Sequence, residues 1–206
     1  MTAVKICGVT RTEDALAAAR SGAHAIGLIF YRPSPRYVAP SLAREIVHAL
    51  PPFVTAVGLF VDANAQEVRE VIAVAPLALL QFHGAESPIF CRQFGLPYMK
   101  AVRVRAGVDL LQYARDYHDA KALLLDAFVE GTHGGTGRSF DWSLIPRALP
   151  LPIVLSGGLE AGNVIGAIQQ IRPWAVDVSS GVEAAPGIKD AAKIAAFMSG
   201  VRDADV

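Results

Sequence analysis

The chain has 206 residues, of which 52% are hydrophobic and 18% are charged, a composition that fits a β-sheet covered by helices on both faces. Lys plus Arg and Asp plus Glu both number 19, and the basic residues form no run, so we expect no nucleic-acid partner. Apolar runs such as residues 54–61 are far shorter than the ~20 residues of a membrane span, and no signal peptide precedes the first strand, so we expect a cytoplasmic protein without a membrane partner.

Eight strand–loop–helix units follow one another with no linker between them. The first strand begins at Val4 and ends at Gly8, where glycine releases the backbone. The other strands are predicted at residues 24–30, 54–61, 78–82, 98–103, 122–126, 153–156 and 175–179.

Helix boundaries follow from capping signals. Thr10 with Glu13, and Asn64 with Glu67, have capping-box spacing. Ser41 and Ser87 are predicted to cap two further helices, the second with proline at its first position. The remaining helices are predicted at residues 109–118, 142–147 and 188–198, and between the glycines at 157–158 and Ile171.

Eight alternating units leave few architectures. Each unit has about 26 residues, enough for one strand, one helix and two short loops. An open doubly wound sheet would carry its glycine fingerprint after the first strand, whereas here glycine pairs follow strands seven and eight. We therefore predict an α/β fold, a single (β/α)₈ TIM barrel over residues 1–206.

Strand parity brings polar residues to one end of this barrel. Alternation along the strands points one set of side chains inward, namely Cys7, Gln81, His83, Arg103, Asp126, Asp177 and Ser179. Residues at the carboxyl ends of barrel strands line the active-site mouth.

The late glycines indicate a phosphate site. Loops after strands seven and eight of such barrels bind phosphate through backbone N–H groups. Gly157, Gly158, Ser180 and Gly181 have that placement. The alternative is that these glycines only turn the chain, and both pairs together favour the phosphate site.

The glycine-rich stretch at residues 130–140 follows strand six. It lacks the lysine and the spacing of a nucleotide P-loop. We interpret it as a lid over the mouth, with a disordered surface loop as the alternative.

Cys7 and Asp126 are the candidates for chemistry. Cys7 ends its strand at the mouth, and Lys5, one pleat deeper, is expected to lower the pKa of the thiol. Asp126 follows three leucines, where a carboxylate is costly to bury without a task. Cys91, between aromatic residues of a helix, is interpreted as structural. The two cysteines lie far apart with no metal-type spacing, so we predict neither a disulfide nor a metal site. We also expect no cofactor.

Four more residues are candidates for substrate binding. Arg36 lies in a loop stiffened by two prolines and is interpreted as a grip for a carboxylate, with a solvated loop arginine as the alternative. His83, Arg103 and Asp177 end strands at the same mouth, and Asp177 has a second interpretation in shaping the phosphate loop.

Several motifs together resemble one family, the phosphoribosylanthranilate isomerases. They are KICGVT at 5–10, SPRYV at 34–38, QFHG at 81–84, LD at 125–126, GGTG at 134–137, FDW at 140–142, LSGGL at 155–159 and DVSSGVE at 177–183. The resemblance spans nearly the whole chain. It implies an Amadori rearrangement of N-(5-phosphoribosyl)anthranilate in tryptophan biosynthesis.

The resemblance also implies roles for individual residues. Cys7 resembles the general base, Asp126 the general acid, Arg36 the contact to the anthranilate carboxylate, and the two glycine pairs with Ser180 the phosphate site. The expected partner is this small phosphosugar-anthranilate substrate, and we expect a monomer rather than a homodimer.

Two alternatives remain at this point. One is another phosphosugar barrel, either a ribulose-phosphate epimerase or a two-substrate isomerase that also serves histidine synthesis. The other is a non-catalytic phosphosugar-binding barrel. A thiol base argues against the first, and Cys7 together with Asp126 argues against the second.

Overall fold

A computed structural model describes residues 1–127, 141–146 and 148–205. Eight strands pair in parallel and close into a barrel in chain order, as predicted. The barrel strands are β1 (Ala3–Cys7), β2 (Ala25–Ile29), β3 (Thr55–Phe60), β4 (Leu79–Phe82), β5 (Tyr98–Val104), β6 (Leu123–Ala127), β7 (Ile153–Leu155) and β8 (Ala175–Val178).

Helices surround the barrel. They are α1 (Thr12–Arg20), α2 (Pro40–Ala49), α3 (Ala65–Val74), α4 (Pro88–Arg92), α5 (Leu110–Asp116), α6 (Val164–Ile171) and α7 (Ala191–Ala204). Two short 3₁₀ turns cover Trp142–Leu144 and Ser180–Val182. No helix in the described ranges is long and apolar enough to cross a membrane.

Three of the predicted helix starts are confirmed. Asn64 and Glu67 form a reciprocal capping box at α3. Ser87 caps α4 with Pro88 at the first position, and Asp109 caps α5.

Two predicted caps are wrong, because tertiary contacts and proline geometry set those boundaries. The Thr10 hydroxyl donates to the Gly187 carbonyl instead of capping, and α1 begins one residue later than predicted, at Thr12 with Arg11 at the cap position. Pro40 is the first residue of α2, which places Ser41 inside the helix; proline at this position needs no hydrogen-bond partner for a missing N–H.

The last helix was also predicted too early. Residues 183–185 and 188–189 form a small antiparallel hairpin, β9 (Glu183–Ala185) and β10 (Ile188–Lys189). Asp190 then caps α7 with its side chain. The hairpin therefore lies in the loop after β8, beside the barrel mouth.

The core has two layers. An inner cluster fills the barrel with side chains that include Val57, Met99, Ala101 and Leu124. A larger outer cluster lies between the strands and the helices. Because Met99 and Ala101 face inward, Arg103 on the same strand does so too, as strand parity predicted.

Candidate active site

Cys7 is the last residue of β1 and only 4% exposed. It packs against Ile29, Leu59 and Val61 at the upper end of the barrel interior. Lys5 lies one pleat below, where its charge acts on the thiol. The Lys5 ammonium also lies 2.8 Å from Asp177 Oδ1. The thiol and Asp177 therefore share one buried ammonium.

The net effect on the thiol differs from the sequence-based expectation. Burial raises the pKa of Cys7 above its ordinary value, and the charge of Lys5 lowers it only in part. Asp177 adds to the rise. Lys5 does lower this pKa, as predicted, but desolvation outweighs an ammonium whose charge Asp177 already balances, so the net pKa is raised.

Gly27 makes room for this pair, and sequence reasoning missed it. Gly27 lies opposite Cys7 in the parallel register of β1 and β2. A methyl group on Gly27 would lie 2.8 Å from Cys7 Sγ and 3.0 Å from Lys5 Nζ. Its backbone is not among the positive-φ residues, so glycine is needed here for space and not for a turn.

Asp126 belongs to a buried polar chain. His83 Nε2 lies 3.1 Å from Asp126 Oδ2, and His83 Nδ1 lies 3.0 Å from Gln81 Nε2. All three side chains are buried. Sequence parity placed Gln81 inward, but only the structure reveals that it contacts His83.

A buried ion pair supports the loop that carries His83. Lys100 donates to the carbonyls of Phe82 and Gly84 and to Glu86 Oε2 at 3.1 Å. Glu86 accepts from the backbone N–H of Gly84. The backbone on both sides of His83 is therefore held by charged hydrogen bonds.

Asp126 and Asp177 border one small cavity between β6, β7 and β8. Its lining residues are Asp126, Ser156, Gly157, Gly158, Leu159, Asp177, Val178, Ser179 and Ser180. Ser156 Oγ lies 3.4 Å from Asp177 Oδ2. Arg103 is half-buried and lies opposite Asp126 in the register of β5 and β6.

The glycines of the predicted phosphate site have local structural reasons of their own. Gly157 and Gly158 have φ of 86° and 65°, in the left-handed region that favours glycine. A methyl group on Gly181 would overlap the Leu159 carbonyl oxygen. The glycines therefore do not by themselves require a phosphate, but they bring backbone from both loops to one place.

Arg36 is held by a partner that sequence reasoning missed. Its Nε and Nη2 donate to Glu183 Oε1 and Oε2 at 2.8 and 2.7 Å. Lys189 Nζ donates to Glu183 Oε1 at 2.7 Å. Burial alone would raise the pKa of Glu183, but Arg36 and Lys189 hold it below its ordinary value.

The lid predicted at residues 130–140 lies outside the described residues. The described candidates do converge: Cys7, Arg36, His83, Asp126 and Asp177 are all buried and lie at or just beyond the carboxyl ends of the barrel strands. That end of the barrel can supply an acid, a thiol and several cations to one ligand.

Comparison with known proteins agrees with this geometry. Residues 4–200 match the family model described as N-(5'phosphoribosyl)anthranilate (PRA) isomerase. The N-(5'-phosphoribosyl)anthranilate isomerase of Nitrosospira multiformis is 67% identical over 96% of this chain and 95% of that protein.

Two similar solved structures belong to the same family. One is a phosphoribosyl anthranilate isomerase in complex with reduced 1-(o-carboxyphenylamino)-1-deoxyribulose 5-phosphate, with a TM-score of 0.87, 42% identity, and coverage of 98% of this chain and 100% of that one. The other contains mutually generated monomers of the dimeric enzyme from Thermotoga maritima, with a TM-score of 0.86, 40% identity, and coverage of 98% and 99%. The chain belongs to the N-(5'-phosphoribosyl)anthranilate isomerase family.

Proposed function

We propose that this chain isomerises N-(5-phosphoribosyl)anthranilate to 1-(2-carboxyphenylamino)-1-deoxyribulose 5-phosphate in tryptophan biosynthesis, with Cys7 as base and Asp126 as acid. Membership of the isomerase family supports the assignment of this reaction. The observation that supports the residue roles is their placement: β1 and β6 are not neighbours in the barrel, so a thiol and a carboxyl group approach a ligand in the mouth from different sides.

The reaction needs an acid and a base that act in turn. Asp126 delivers a proton to the furanose ring oxygen, the bond from C1′ to that oxygen breaks, and the anthranilate nitrogen lone pair forms a protonated Schiff base. The Cys7 thiolate then removes the proton from C2′ to give an enolamine. Protonation at C1′ and loss of the enol proton give the ketone, so substrate and product are isomers.

The base must be a thiolate, and burial disfavours that form. Lys5 provides the compensating charge beside the sulfur. A thiol with a raised pKa is a stronger base once it is ionised. We therefore expect the rate at which iodoacetamide alkylates Cys7 to increase with pH through neutrality.

Arg36 is proposed to bind the anthranilate carboxylate. Glu183 takes one edge of the guanidinium, through Nε and Nη2. The end formed by Nη1 and the second hydrogen of Nη2 is the edge through which a substrate carboxylate could bind in bidentate fashion. Glu183 thereby fixes the orientation of that edge.

The remaining substrate groups are assigned to the rest of the mouth. Backbone at Gly157, Gly158, Ser180 and Gly181 is proposed to bind the phosphate. Asp177 and Arg103 are proposed to contact the ribose or the anthranilate. His83 was also predicted to bind the substrate, but both of its ring nitrogens already contact protein groups.

The test is a fluorescence assay that follows loss of phosphoribosylanthranilate, with no metal or nucleotide added. We expect turnover by the wild type, and nearly none by Asp126→Asn or Cys7→Ser, with affinity for the reduced product analogue retained in both. Iodoacetamide should inactivate the wild type at Cys7, and bound analogue should slow this. Full kcat in Cys7→Ser would remove the thiol from the mechanism.

We further propose that residues 1–206 act as a single-domain monomer in the cytoplasm. Every proposed site residue comes from one chain, so a monomer suffices for the chemistry. A thiol base also needs a reducing compartment. Sedimentation velocity at micromolar concentration decides the first point, and a concentration-dependent dimer would refute it.

A further inference from the structure

His83 has no ring nitrogen left for a substrate. Its Nδ1 contacts Gln81 Nε2 at 3.0 Å and its Nε2 contacts Asp126 Oδ2 at 3.1 Å. Gln81 is fully buried and His83 is 8% exposed. A substrate contact would have to break one of these hydrogen bonds inside the protein, which leaves a buried polar group unpaired.

The Gln81 amide selects the tautomer of the imidazole. Its Nε2 can only donate, so Nδ1 must accept, and neutral His83 then carries its hydrogen on Nε2. Among the described residues Gln81 Oε1 has no hydrogen-bond partner. The reversed amide would instead bury an NH₂ group with two unused hydrogens, and unpaired buried N–H groups are rarer than unpaired carbonyl oxygens.

This tautomer determines which oxygen of Asp126 can hold a proton. A hydrogen on His83 Nε2 is donated to Oδ2, which makes Oδ2 an acceptor whether the carboxyl group is protonated or not. A proton held by Asp126 must then reside on the other oxygen, Oδ1. The opposite tautomer would present a lone pair to Oδ2 and draw the acidic proton away from the substrate.

We infer that Gln81 and His83 are positioning residues that keep the transferable proton of Asp126 on Oδ1. This inference rests on the proposed role of Asp126 as the acid. It replaces substrate binding by His83 with a role that acts through Asp126, and it gives Gln81 a function.

The charged groups around Gln81, His83 and Asp126 come from several strands. Arg103 lies opposite Asp126 in the register of β5 and β6, and Asp177, which is paired with Lys5, borders the same cavity as Asp126. Lys100 and Glu86 flank the loop after His83 on the outward face. The test variants leave all of these groups in place.

The first measurement is on the wild type, with no variant needed. Long-range ¹H–¹⁵N NMR distinguishes a protonated from an unprotonated imidazole nitrogen. The His83 signals are identified among those of the five histidines by their loss in His83→Gln. We expect a hydrogen on Nε2 and none on Nδ1. A hydrogen on Nδ1 would overturn the inference directly.

Two variants at one position then separate the possibilities. Gln81→Met keeps the volume and removes the donor, so the tautomer should become mixed and kcat should fall about 10-fold, part of the 10²–10⁴-fold effect of general acid catalysis. Gln81→Glu places an acceptor beside Nδ1, so it should enforce the opposite tautomer and lower kcat further than Gln81→Met does. Gln169→Met, on the exposed side of α6, is the matched control.

The tautomer and affinity measurements test the positioning role separately from the proposed isomerase reaction. Both Gln81 variants should bind the reduced product analogue within about 2-fold of wild type, because neither changes a ligand contact. An unchanged tautomer in Gln81→Met, or a loss of affinity equal to the loss of kcat, would refute the positioning role. A wild type with no isomerase turnover would refute the proposed function, while the NMR result would still report the tautomer.

Discussion

Replacing Gly27 with alanine should displace the thiol of Cys7 without altering any residue proposed to act on the substrate. The new methyl group would lie 2.8 Å from Cys7 Sγ and 3.1 Å from the Cys7 backbone Cα. Ordinary contacts are about 3.5–4.0 Å, so the sulfur would have to retreat by roughly 0.7 Å or more. Cys7 is 4% exposed, and the interior around it has little room for that movement.

The structure sets the expected magnitudes. Overpacking of a buried site costs about 1–3 kcal/mol of unfolding free energy. A reacting group misplaced by about 1 Å can cost 10²-fold in rate. We therefore expect kcat of Gly27→Ala to fall by about 10²-fold, measured by phosphoribosylanthranilate fluorescence, with urea unfolding to measure stability.

Two other glycines serve as controls. At Gly58 on β3 a methyl group would meet the end of the Leu77 side chain, on the helix side of the sheet, so Gly58→Ala should lose stability and keep kcat. At Gly166 in α6 it would meet nothing within 4 Å, so Gly166→Ala should gain about 0.4–1 kcal/mol. A Gly27→Ala enzyme with wild-type kcat would show that the thiol position is not limiting.

Four further predictions concern Glu183, Arg36, Cys7 and Cys91. Glu183→Ala should lose about 3–5 kcal/mol in urea unfolding, because two buried cations lose their shared partner; a loss below about 1 kcal/mol would mean that water replaces the carboxylate. Arg36→Lys should lower turnover at least 10-fold and barely change inhibition by inorganic phosphate, whereas equal losses for both ligands would point to a global effect. The pKa of Cys7 is raised, so iodoacetamide should alkylate Cys7 faster at pH 9 than at pH 7, and a rate independent of pH over that range would contradict a raised pKa. Burial raises the pKa of Cys91 from 9.0 to about 12, so its contribution to stability is present below pH 9 and is lost as the pH rises toward 12; in urea unfolding, Cys91→Val should therefore lose less stability over that range than wild type does, and an equal loss would contradict the prediction.

Most of the fold could be predicted from sequence because the signals were local. Asn64 with Glu67 and Ser87 with Pro88 carry their own capping chemistry, and period-two alternation fixed which residues face the barrel interior. The closed eight-stranded barrel was predicted from the number of strand–helix units and from the glycine pairs after strands seven and eight. The same alternation placed Cys7, Asp126 and Asp177 at one mouth without any knowledge of distances.

What sequence could not supply were contacts between distant parts of the chain. Thr10 has the spacing of a cap, but its hydroxyl binds Gly187. Glu183 and Lys189 form their pair through a hairpin whose first strand was predicted as a loop and whose second strand was predicted as the start of the last helix. Gly27 resembles any glycine in a strand, and its reason is a sulfur atom on the neighbouring strand.

The Lys100–Glu86 pair behind His83 has a consequence for motion. Both side chains are at most 3% exposed, and they join Phe82, Gly84 and Glu86 in one hydrogen-bonded unit. Opening this loop alone would expose the paired charges and break several backbone contacts together, so small local fluctuations cannot release it. The amide hydrogen of Gly84 should therefore exchange with solvent nearly as slowly as those of the barrel strands, although it lies in a loop.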